Sequence, residues 1–147
     1  MWTKNPLPLL DRLALLRGWP CVFQFTLTGY GRDVEPGLPD KLQLVEAMKR
    51  LSEAFGSERV IWRYDPILFT ETYTPEYHLK AFSQIADALK GYTHKCVISF
   101  VDIYAKNKKQ MEELHAYELK EKDLMDFAGK LSEMAKKNGM TVASCAE

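Results

Sequence analysis

The chain has 147 residues, twenty basic side chains balance twenty acidic ones, and 46% of positions are apolar. That length suits one domain with a real core and falls short of the ~250 residues of a complete (β/α)₈ barrel. Zero net charge supplies no field for nucleic acid or an anionic membrane, no stretch reaches the roughly 18 apolar residues of a membrane span, and Met1–Pro6 lacks a signal peptide's apolar core, so the chain reads as cytoplasmic.

Met1–Asn5 reads as the tail of a strand with almost nothing before it, so the chain is expected to begin in mid-fold. Pro6 and Pro8 sit at or before the first turn of a helix carrying Leu9, Leu10, Leu13 and Leu16, which Gly18 ends. Cys21–Tyr30 is the second predicted strand. Val22, Gln24, Thr26 and Thr28 occupy one face, and Phe23, Phe25 and Leu27 occupy the other, which calls for helices against it. The loop Gly29–Asp40 is full of turn formers, as functional loops after strands often are. Gly29 and Gly31 alone are too little for a phosphate loop.

Pro39–Phe55 has Leu44, Val45, Met48, Leu51 and Phe55 at helical spacing, closed by Gly56. Arg59–Phe69 follows as the most informative strand. Alternation puts Val60, Trp62 and Tyr64 on one face and Ile61, Arg63 and Asp65 on the other, and Pro66, which has no N–H, is expected to stop the ladder just after the charges. A guanidinium and a carboxylate two residues apart on one face either pair to fix a loop or meet a ligand at the strand's carboxyl end. Thr74 then caps a helix with Pro75 in first position and a stripe of His78, Phe82, Ile85, Ala86 and Leu89. His78, near the start of that stripe, is either a core-edge histidine or a group that reaches the site.

Gly91 ends that helix, and Cys96–Tyr104 is the next strand, with Ser99 and Asp102 late in it. Asn107–Leu119 is polar and weakly periodic, a short helix or structured loop. Lys106, Lys108 and Lys109 run into Glu112 and Glu113, which marks a solvated helix start rather than a nucleic-acid patch. Lys122–Lys137 is helical through Leu124, Phe127, Leu131 and Met134, and Asn138-Gly139 caps it before the last strand, Met140–Glu147. The order predicts an α/β fold over residues 1–147: alternating β/α units whose strands form a parallel sheet.

Parallel strands bring their carboxyl ends to one rim. Lys4, Asn5, Gln24, Thr26, Thr28, Arg63, Ser99 and Cys145 are the candidate binding residues there, and Asp65, Asp102 and Glu147 are the candidate catalytic acid/base groups. Three carboxylates offset by two cations more often form a charge network than hold a metal, so no metal is assigned. Cys145 has no histidine placed by sequence to activate it, and the three cysteines are too far apart for a zinc site or a disulfide framework. Cys21 and Cys96 each open an apolar run and read as small buried side chains.

Five segments, Met1–Pro6, Phe23–Gly31, Arg59–Ile67, Lys95–Tyr104 and Ser144–Glu147, closely resemble in the same order an uncharacterised, mainly bacterial family, the domain-of-unknown-function family number 1848. The resemblance implies a TIM-barrel-like fold, of which this chain would be about half a barrel. It also implies further β/α units before this region and, after it, a cysteine cluster similar to the iron–sulfur motif of radical S-adenosylmethionine enzymes. This chain carries neither, so it reads as the central part of a longer protein with no cofactor of its own, any iron–sulfur cluster belonging to full-length relatives. Open edge strands at each end then favour a homo-oligomer.

Two functions follow. One is a fragment of an enzyme binding a small polar or anionic ligand at the rim; the alternative is a non-catalytic binding or assembly module whose rim residues pair only among themselves. Nucleic-acid repair by analogy with radical enzymes finds no basic stripe to support it.

Overall fold

The structure, a computed structural model, is described for residues 2–5, 7–10, 22–31, 40–101, 108–113 and 115–144. Its strands are β1 (Trp2–Thr3), β2 (Phe23–Thr26), β3 (Val60–Ile67), β4 (Lys95–Phe100) and β5 (Thr141–Ser144). All neighbours pair in parallel, and the strands lie side by side in sequence order in one open sheet. Between them come α1 (Leu7–Leu10), α2 (Lys41–Phe55), α3 (Pro75–Leu89), α4 (Lys108–Glu113) and α5 (Glu121–Lys137). The expected α/β fold of alternating units is therefore present. Crossovers of one hand in an unbroken strand order return α1, α2, α3 and α5 to the same face of the sheet, where all four contribute to one core.

That face is the aromatic one anticipated from alternation. Phe23 and Phe25 of β2, Val60, Trp62 and Tyr64 of β3, and Cys96 of β4 are buried against Met48 of α2, Phe82 of α3 and Leu131 of α5 in one core. Trp62 stacks on Phe82 with ring centroids 4.8 Å apart. Burying each large apolar side chain contributes about 1.5–3 kcal/mol, so this single layer between sheet and helices carries most of the fold's driving force.

The helix ends follow their local chemistry. Asp40 accepts from the Leu42 N–H to start α2, and Thr74 accepts from the Tyr77 N–H to start α3, with Pro75 in the first turn where no N–H is missed. Gly56 ends α2 at φ +98°, a conformation that costs a residue with a Cβ. In α5, Glu121 and Asp123 lie in the first turn and Lys136 and Lys137 in the last, matching the helix dipole.

Several boundaries differ from expectation. The second strand is only Phe23–Thr26: its pairing with β3 closes with the Leu27 N–H on the Arg63 carbonyl at 3.0 Å, although Leu27 and Thr28 both stay buried. Arg59 belongs to a short 3-10 turn, Ser57–Arg59, rather than to β3. Most tellingly, β3 does not stop at its charges. It continues through Pro66 to Ile67, because pairing with β4 shifts register between Tyr64 and Ile67 and this irregularity takes up the residue that has no N–H. Pairing resumes at Ile67 with Phe100, and the Val101 N–H donates to the Ile67 carbonyl at 2.9 Å. The polar stretch begun at Asn107 yields the six-residue α4, and the last strand is limited to Thr141–Ser144 among the described residues. No helix among the described residues is long and apolar enough to cross a membrane.

Candidate functional site

The sheet face opposite the core carries the charges. Thr26 pairs in register with Arg63, and Arg63 with Val97, so Gln24, Arg63, Asp65 and Ser99 project from three adjacent strands onto the same side. Arg63 donates through Nε to Asp65 Oδ1 at 3.2 Å and through Nη2 to Asp65 Oδ2 at 2.7 Å, a two-pronged pair. Its Nη1 donates to Gln24 Oε1 at 2.6 Å, and Ser99 Oγ donates to Asp65 Oδ2 at 3.2 Å. Arg63 and Asp65 are buried at 9% and 7% exposure, while Gln24 and Ser99 are half-buried. The pairing anticipated from Arg59–Phe69 is thus present, and it extends to both neighbouring strands.

One consequence concerns Gln24. A guanidinium has only donors, so the amide must turn its oxygen toward Arg63, which directs Nε2 and its two N–H groups away. Asp65 is differently placed, since both its oxygens accept hydrogen bonds from within the cluster.

The remaining expected residues are spread more widely. Thr26 and Thr28 are buried at the carboxyl end of β2. Lys4 is exposed just past β1, and Asn5 Oδ1 accepts from the Leu7 N–H at 3.2 Å, capping α1. Asp102, Cys145 and Glu147 lie outside the described residues, as does Cys21. Cys96 is buried in the core, and burial drives its thiol pKa well above the ordinary value, so little nucleophilic thiolate forms. Lys108 and Lys109 are exposed at the start of α4.

His78, read from sequence as either core edge or site, is 1% exposed in an aromatic setting. Its Nε2 lies 2.7 Å from the Leu68 carbonyl, which can only accept, so the proton sits on Nε2. Nδ1 is then the acceptor for the Tyr64 hydroxyl at 2.9 Å. Burial lowers the pKa of His78, the Leu68 hydrogen bond opposing it, and burial raises that of Tyr64 far above its usual range. Both groups are therefore neutral at pH 7. Sequence reasoning passed over the tyrosines that surround this histidine, Tyr30, Tyr73 and Tyr77, although their crowding beside Gly29 and Thr74 was a signal of hydroxyl-mediated loop contacts.

Cavities among the described residues lie away from the charged cluster. One of about 60 Å³ is lined by Ile67, Phe69, Phe100, Tyr117 and Leu119 at the carboxyl ends of β3 and β4. Another of about 350 Å³ lies between α1 and α2, and a third of about 330 Å³ lies between the amino ends of α3 and α5, beside Glu76, Asp123 and Asp126. The described residues contain no group of three or more His, Cys, Asp or Glu side chains arranged to hold a metal ion.

A family model described as a domain of unknown function, DUF1848, matches residues 1–147. No curated protein and no solved structure matches the chain.

Proposed function

The chain belongs to the DUF1848 family, whose description carries no activity, and we propose from its geometry that Gln24, Arg63, Asp65 and Ser99 form a binding site for a polar or anionic small molecule. The observation that carries this reading is the Gln24 amide. Its oxygen is held by Arg63 at 2.6 Å, and its Nε2 donors have no acceptor among the described residues. A half-buried donor pair fixed beside a guanidinium suits a carbonyl, carboxylate or phosphate oxygen. Asp65 orients the guanidinium, and Ser99 holds Asp65.

The sequential winding of the sheet supports a TIM-barrel-like enzyme as the wider setting, since barrels of this kind work at the carboxyl ends of their strands. In that setting Asp65, Asp102 and Glu147 are the acid/base groups to test, and Lys4, Thr26, Thr28 and Cys145 are the binding residues to test beside them. The competing reading, a module whose polar residues are purely structural, draws support from the mutual hydrogen bonds by which Arg63, Asp65, Gln24 and Ser99 hold one another.

Thermal-shift measurements with phosphate, acetate, citrate and uncharged amides, on the natural chain and on Gln24→Leu, separate the two. A binding site predicts that at least one compound raises the melting temperature of the natural chain and fails to raise that of Gln24→Leu above the variant's own unliganded value. A flat response across the panel, or an equal response in both proteins, leaves the structural reading standing.

A further inference from the structure

The loops at the carboxyl ends of β2 and β3 are joined by hydroxyls and one imidazole. Tyr30, in the first loop, donates to the Pro66 carbonyl at 2.7 Å and accepts from the Leu68 N–H at 2.8 Å. In the other direction, the Gly31 N–H donates to Tyr73 Oη at 2.9 Å, and Tyr77 Oη donates to the Gly29 carbonyl at 2.6 Å. His78 holds the middle, with Leu68 on one ring nitrogen and Tyr64 on the other.

This arrangement works only while His78 is neutral. A protonated imidazole has two N–H groups and no acceptor, so the Tyr64 O–H loses its partner, and the described residues offer it no other acceptor. The rings around His78 come from every side: Tyr64 of β3, Tyr30 of the first loop, Phe69 and Tyr73 of the second, Tyr77 of α3 itself and Phe127 of α5. The titratable groups among them are the four tyrosines, and no carboxylate in these contacts compensates a positive charge.

We propose that His78 is an acid-opened latch: neutral, it bonds both Leu68 and Tyr64; protonated, it keeps its donor to Leu68 but loses Tyr64 and leaves a positive charge buried among rings, so the loops after β2 and β3, with Leu68, Tyr30 and Tyr73, open to bring the imidazolium to water. The lowering of the His78 pKa by burial agrees with this sense. A group whose pKa is lower in the closed state than in the open one stabilises closure above the open-state value, ordinarily about 6.5, and that stabilisation fades as pH falls below it. The latch stands whether or not the neighbouring polar cluster binds a ligand, because its readout is loop opening.

Amide hydrogen exchange on the whole chain between pH 7.5 and 5.5, corrected for intrinsic rates, tests it with His78→Gln as the comparison. A glutamine side chain offers one donor to Leu68 and one acceptor to Tyr64 and does not titrate. Expected in the natural chain is loss of protection at Gly31, Leu68 and Tyr73, by up to about tenfold per pH unit once His78 titrates, while β4 amides stay protected. Expected in His78→Gln is protection independent of pH. The proposal is overturned if the loop amides keep their protection until β4 also opens, or if His78→Gln responds as the natural chain does. Should that variant not fold, NMR titration of the natural chain decides: the Leu68 and Gly31 amide shifts must share the midpoint of the His78 ring, and separate midpoints overturn the latch.

Discussion

Replacing Arg63 by methionine is the most informative single perturbation. Methionine keeps the unbranched apolar stem and removes the guanidinium, so Asp65 loses the donors at 2.7 and 3.2 Å and retains Ser99 Oγ at 3.2 Å. Stripping one partner from a buried pair costs about 3–5 kcal/mol, because a desolvated charge is left uncompensated. The half-buried Ser99 and Gln24 let water approach, which places the expected loss near the lower end, about 3 kcal/mol. Exchanging both partners, Arg63→Met with Asp65→Leu, removes the stranded charge and should bring the loss to within about 1 kcal/mol of the natural chain. Urea unfolding with unchanged slope reads both quantities. A single variant that loses less than about 1 kcal/mol, or a double variant that loses as much as the single one, refutes the claim that Asp65 depends on Arg63.

Other substitutions test the core and its contacts. Gly29→Ala would put a Cβ 2.6 Å from the Ala81 Cβ, so the loop must move away from α3, and calorimetry should record a loss of about 1–3 kcal/mol. Phe82→Ala empties the space against Trp62 and should cost about 3–5 kcal/mol by denaturant titration, with a change in tryptophan emission. In a background with Cys21 and Cys145 changed to serine, Cys96 should react with a disulfide reagent at pH 8 only as fast as the chain unfolds; prompt reaction would contradict its burial. Global stability should decline as pH drops below about 6.5, by up to about 1.4 kcal/mol per unit, since unfolding frees His78 to take a proton that burial withholds. Equal slopes for the natural chain and His78→Gln would assign that decline elsewhere.

Alternation alone was enough to separate the two faces of β2 and β3, because a period of two is a local property and one face is wholly apolar. The helices were equally legible where a cap and an apolar stripe coincide, as at Thr74–Leu89 and through Leu131. Strand ends were not, since Leu27 and Thr28 are buried like strand residues although pairing closes with the Leu27 N–H on the Arg63 carbonyl, and burial rather than pairing is what hydropathy reports. Pro66 misled for a related reason: the missing N–H forbids a regular ladder, but a register shift satisfies the same constraint without ending the strand. At the site, Arg63 and Asp65 were visible because they are neighbours on one strand. Gln24 and Ser99 were visible only as rim residues, as their contacts depend on which strands are adjacent. The tyrosine hydroxyls that join the two loops depend on tertiary placement still more, with Tyr30 acting on residues 36 and 38 positions away.

The position of the charged pair also bears on how the sheet finds its alignment. A strand with neighbours on both sides in a parallel sheet is ordinarily apolar on both faces, and β3 departs from this with Arg63 and Asp65. The departure is satisfied from both flanks, by Gln24 of β2 and Ser99 of β4. Sliding β2 by one residue would turn Gln24 into the core and bring Phe23 or Phe25 to the guanidinium; sliding β4 would do the same with Ser99 and Ile98. Apolar contacts on the helix face tolerate small shifts, because dispersion and burial are weakly directional. Hydrogen bonds of 2.6–3.2 Å to a fixed fork do not. The cluster therefore specifies the register of three strands even in the absence of any ligand, so a variant such as Gln24→Leu, which keeps the Arg63–Asp65 pair, is the one that separates recognition from architecture.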